Sequence, residues 1–75
     1  MALIDELADA LSGDVYAAMQ ETGDDRLHER VAKSIGQMSP TLEEVFMTSM
    51  RLRLAERRGR QFFMAEVARL KAQQP

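Results

Sequence analysis

Apolar side chains recur along this chain at spacings of three and four, the period of a helix with one face turned away from water. Ile4, Leu7, Leu11, Val15 and Ala18 with Met19 make the first series, which predicts a helix over residues 2–21. The series stays in phase through Ser12, Gly13 and Asp14, so one helix with a weak point at Gly13 is expected. A stop at Gly13 followed by a new helix capped by Asp14 is the alternative. Thr22-Gly23-Asp24-Asp25 then interrupts the pattern, because glycine accepts the left-handed conformation that ends a helix and either aspartate can cap the next one. Leu27, Val31, Ile35 and Met38 outline a second helix over residues 25–37, with Gly36 near its end.

The next boundary carries the strongest local signal. Ser39 is a favoured N-cap, Pro40 suits a first helical position where its missing N–H is no loss, and Glu43 and Glu44 complement the positive end of the helix dipole. Nothing then forces a stop before Gln73-Gln74-Pro75, so a third helix over residues 40–72 is predicted, on the order of 50 Å long at ~1.5 Å per residue. A heptad through it reads Leu42, Phe46, Ser49, Arg53, Glu56, Arg60, Phe63, Val67 and Leu70, apolar at both ends and charged in the middle. Met47, Met50 and Leu54 lie on a different face. Two apolar faces on one helix call for more than one neighbour, unless Gly59 divides it in two.

No alternating, β-branched run occurs, and Ala, Leu, Met, Glu, Arg and Gln dominate, so the fold class is all-α. Two N-terminal helices are expected to pack on the long C-terminal one as a single domain spanning residues 1–75. A chain of 75 residues builds a small core, and with no cysteine and one histidine it has neither disulfides nor a ready structural metal to supplement it. Completion of the bundle by oligomerisation is the remaining route. The surface expected to serve a second copy or another protein comprises Leu42, Phe46, Met47, Met50 and Leu54, continued by Phe62, Phe63, Met64, Val67 and Leu70. Flexible methionines suit such adaptable contacts as well as a core.

Charge sharpens this picture. The net charge of −2 divides into ten acids against three bases up to Met50, and seven bases against two acids from Arg51 onward. Opposite fields of this kind favour docking of one half on the other, within a chain or between chains. The acidic N-terminal segment lacks the basic start of a signal peptide, and no apolar run approaches the ~18 residues of a membrane span; a cytoplasmic protein without a membrane partner is expected.

Candidate chemistry is sparse. Asp24 and Asp25 precede His28 by four and three residues, but one imidazole with two carboxylates falls short of a zinc motif; helix-capping aspartates and an exposed His28 are expected instead. No phosphate-cradling glycine loop is present, and Tyr16 beside the first stripe reads as a packing residue with its hydroxyl at the edge. No catalytic residue, cofactor or metal is assigned, so a small non-enzymatic regulatory or adaptor protein acting through protein–protein contacts is the expected function. Arg51, Arg53, Arg57, Arg58 and Arg60 support a second expectation, contact with phosphates. The spacing of Ala32, Ile35, Gly36, Leu42 and Val45 resembles the DNA-binding helix-turn-helix, which implies a dimeric DNA-binding regulator with Arg51 and Arg53 nearest the duplex. Gln37, Glu43 and Glu44 depart from that pattern, the first at a usually apolar turn position and the acids where phosphates would repel them.

Overall fold

The computed structural model describes residues 2–74; Met1 and Pro75, the latter part of the predicted C-terminal stop, lie outside the described residues. Three helices follow in order: α1 (Leu3–Thr22), α2 (Leu27–Gly36) and α3 (Pro40–Ala72). No strand occurs among the described residues. Helices α1 and α2 both pack on the first half of α3. Ser12 meets Ser49, while Met19 and Gln20 lie beside Leu54 and Arg57, so α1 and α3 run in the same direction. Gly36 lies against Glu43 and Asp25 near Leu54, so α2 returns antiparallel between them.

Local chemistry explains each boundary. Gly23 adopts φ 74°, the left-handed conformation a glycine accepts without strain, and its N–H donates to the Met19 carbonyl. The aspartate expected to cap α2 makes a turn instead. Asp24 N–H donates to Thr22 Oγ1 (3.2 Å), and Asp24 Oδ1 accepts from Arg26 N–H (3.0 Å), so residues 25 and 26 are spent in the turn and α2 begins two residues later than the spacing predicts. At the other junction Ser39 Oγ accepts from Leu42 N–H (3.1 Å) with Pro40 opening the helix, as its sequence signal requires. Neither Gly13 nor Gly59 interrupts its helix.

The core is built from Ala8, Val15, Met19, Ala32, Phe46 and Met50, and its geometry corrects two sequence expectations. On α1 the buried line is Ala8, Ser12, Val15 and Met19, which is rotated from the expected stripe. The small side chains of Ala8 and Ser12 let α3 approach closely, and that rotation turns Leu3 and Leu7 outward, 67% and 51% exposed. On α2 the enclosed pair is His28 and Ala32, with Leu27, Val31 and Ile35 half-buried beside them. Met38 lies beyond the helix and is exposed. The two apolar faces at the start of α3 find both neighbours within the chain, one in α1 and one in α2.

Candidate functional site

The first polar positions in the middle of α3, Ser49 and Arg53, face α1. Ser12 is fully enclosed, and its hydroxyl donates to the Asp9 carbonyl (3.1 Å), which leaves its lone pairs for two donors. Arg53 Nε supplies one at 3.0 Å; Ser49 Oγ, 2.6 Å away, supplies the other. The Arg53 guanidinium continues along α1 to Asp9, donating to Oδ1 (2.8 Å) and to the backbone carbonyl (3.2 Å). A Cβ on Gly13 would stand 3.3 Å from that guanidinium, so the glycine read as a weak point gives Arg53 its seat. Arg53, one of the two arginines expected nearest DNA, is therefore occupied in joining α1 to α3. Tyr16 packs against the core and shares a shallow hollow with Leu52, Arg53 and Glu56.

His28 departs most from its expected place. It is buried, 9% exposed, and its Nδ1 is enclosed without a hydrogen-bond partner. Asp24 is engaged elsewhere, paired with Arg30, whose guanidinium together with the Arg26 N–H holds the Asp24 carboxyl below its ordinary range. The aspartates and His28 do not converge. Among the described residues no group of three or more His, Cys, Asp or Glu side chains is placed to hold a metal ion.

The residues expected to form a contact surface separate into two sets. Phe46 and Met50 are wholly enclosed within the chain, and Leu42, Met47 and Leu54 pack around them, which removes the first two from any surface. The second set stands outside. From Ala55 onward every described residue is exposed except Glu66 and Val67, which are half-buried. Phe62, Phe63, Met64 and Leu70 are 67%, 60%, 63% and 51% exposed. Glu56 and Arg57 still lie beside Tyr16, Met19 and Gln20 of α1, and the residues after them extend beyond the ends of α1 and α2, in a molecule 59 Å long. No helix of the described residues is long and apolar enough to cross a membrane.

The apolar line changes sides where α3 leaves the body. At about 100° per residue, Leu52, Ala55, Gly59, Phe63, Val67 and Leu70 fall in one strip, turned nearly half a revolution from the buried Phe46 and Met50 line. Met64 continues the buried phase past the end of the core. Arginines flank the strip. Arg60 pairs with Glu56 and Arg69 with Glu66, both along α3 itself, while Arg51, Arg57, Arg58 and Lys71 form no ion pair among the described residues. Phe62, Phe63 and Met64, grouped by sequence among the contact residues, are all exposed; that Phe63 alone of the three lies in the strip could be read only once the direction of the core was known. Compared with known proteins, the chain matches no family model, no curated protein and no solved structure.

Proposed function

We propose that this chain is a small, non-enzymatic regulatory or adaptor protein of the cytoplasm that works through protein–protein contacts as a helical homo-oligomer. The observation that carries the reading is the end of α3, which sets two phenylalanines, a methionine and a leucine into solvent beyond the other two helices of the described residues. Apolar patches of this extent mark interaction surfaces far more often than they mark idle surface. A lone helix of this length is also marginal in water, so covering its strip would supply order that propensity alone does not. The test is sedimentation of the protein and of Phe63→Asp across micromolar concentrations. The expected result is a self-associating parent and a variant whose dissociation constant rises at least tenfold. A parent that stays monomeric throughout would overturn the homo-oligomeric reading.

A second reading, a dimeric DNA-binding regulator, draws on one arrangement: α2 and α3 are joined by the three residues Gln37, Met38 and Ser39, with unpaired Arg51, Arg57 and Arg58 further along α3. Against it, Glu44 is exposed on the first turns of the would-be recognition helix and Arg53 is held by Asp9 and Ser12. Binding to a DNA duplex with an affinity that falls steeply with salt would favour this reading, and its absence would remove it.

A further inference from the structure

The tail of α3 has a complement among the exposed surfaces of the described residues, the outward face of α1. The outward line of α1 runs Leu3, Leu7, Ala10, Asp14, Ala17 and Glu21, alternating steps of four and three on the side away from the core, and every one of these residues is exposed. Its first half is apolar and its second half acidic. Helix α1 carries five acids, Asp5, Glu6, Asp9, Asp14 and Glu21, and no base. The tail has the reverse composition, with Arg57, Arg58, Arg60, Arg69 and Lys71 against Glu56 and Glu66. Its arginine cluster precedes its apolar strip, so an antiparallel approach sets Phe63, Val67 and Leu70 against the Leu3 and Leu7 end of α1 and the arginines toward Asp14 and Glu21.

From this match we infer that the occupant of the tail is the outward face of α1 in a second copy of the chain, and that the exchange is reciprocal. The inference rests on the homo-oligomeric reading above and names its interface. Within one chain the two fields hardly meet: Arg53 to Asp9 is the only ion pair among the described residues that joins the acidic half to the basic half. The tail itself points away from the α1 beside it, so only another molecule can bring the two surfaces together. Pairing of tail with tail would leave the acidic face uncovered and bring two arginine-rich flanks into contact, which like charges oppose. Size also favours reciprocity. A helical tail ~24 Å long and ~10 Å wide lays a footprint of roughly 240 Å². Counting both sides, one such contact buries about 500 Å², the scale of a lattice contact, whereas two related by a two-fold axis approach the ~1,000 Å² that a specific interface needs.

Complementation between two full-length variants tests this. Phe63→Asp spoils the tail and Leu7→Asp spoils α1, and both positions are exposed, so helical circular dichroism should match the parent for each. Each variant alone is expected to dissociate at least tenfold more readily than the parent in sedimentation. Their mixture is expected to associate more tightly than either alone, because the intact tail of one meets the intact α1 of the other. A Leu7→Asp protein that dimerises like the parent, or a mixture no tighter than its components, would overturn the exchange while leaving self-association standing. A parent monomeric at every concentration would overturn self-association and the exchange with it.

Discussion

Ser12 is fully enclosed between α1 and α3, where an apolar side chain would strand two donors. Its hydroxyl is saturated by Asp9, Ser49 and Arg53, so removing it leaves the Ser49 hydroxyl and the Arg53 Nε without their acceptor. Ser12→Ala is therefore expected to lower the stability to urea by about 1–2 kcal/mol. Ser12→Ala with Ser49→Ala should lose little more than the single variant, since the second change removes one of the stranded donors. His28 presents the opposite case. Its enclosed Nδ1 makes no hydrogen bond, so His28→Leu, which keeps most of the volume and removes the orphaned nitrogen, should leave stability unchanged or raise it by up to ~1 kcal/mol. A loss above ~1 kcal/mol in the urea midpoint would contradict that account of the site. Asp24 gives a pH dependence of known sign. Its carboxyl is held below the ordinary 3.8 by Arg30 and the Arg26 N–H, so the folded state prefers the ionised form. The stabilisation it supplies is complete at pH values above 3.8 and is lost as the pH falls through the lowered value. An Asp24 carboxyl that titrates below 3.8 by NMR, and a shallower loss of stability on acidification in Asp24→Asn, are the expected results.

Helix α3 contains two environments within 33 residues. Its first half is clamped by α1 and α2, while its second half is supported by intrahelical hydrogen bonds and by the Glu56–Arg60 and Glu66–Arg69 pairs. Exposed pairs of this kind contribute little, being screened by solvent, so the tail should open locally with little free energy. Hydrogen exchange of the free chain, at a concentration low enough to keep it monomeric, should show amides of residues 60–72 exchanging well before those of residues 46–54. A Cβ on Gly59 meets nothing, so Gly59→Ala should gain most of the ~1 kcal/mol propensity difference and slow tail exchange about fivefold. The same change at Gly13 should gain less, because there the new methyl crowds the Arg53 guanidinium. These contrasts also mark how far the sequence could be read. Periodicity and the Ser39-Pro40 signal were sufficient for three helices, because each rests on spacing within one segment, but they left breaks at Gly13 and Gly59 open, and it is the structure that carries both helices through them. The rotation of α1 was not legible, since Ile4, Leu7 and Leu11 form a better stripe by composition than Ala8 and Ser12 do. Only the close approach of α3 reverses that preference. For the same reason the heptad at Ser49 and Arg53 resembled a defect in an apolar seam until Ser12 and Asp9 stood opposite it, and His28 seemed exposed until α2 was placed.

The whole molecule is an acidic three-helix body with a basic, apolar-striped rod extending from one end. Its halves carry opposite charge and meet through a single ion pair among the described residues, so most of the complementarity is available to another molecule. Attraction between exposed charges weakens once the Debye length falls from ~10 Å at 0.1 M salt toward ~3 Å at 1 M, whereas burial of Phe63, Val67 and Leu70 does not depend on that screening. An assembly built on both should loosen as salt rises without vanishing. A purely electrostatic contact would disappear, and a purely apolar one would be indifferent or tighten. The most direct measurement is therefore the mass of the unaltered protein by light scattering across micromolar concentrations, at low and at high salt. The expected result is a mass rising with concentration from the 8.5 kDa of one chain toward twice that value, at lower concentration when salt is low. A mass of 8.5 kDa at every concentration and at both salt levels would contradict it.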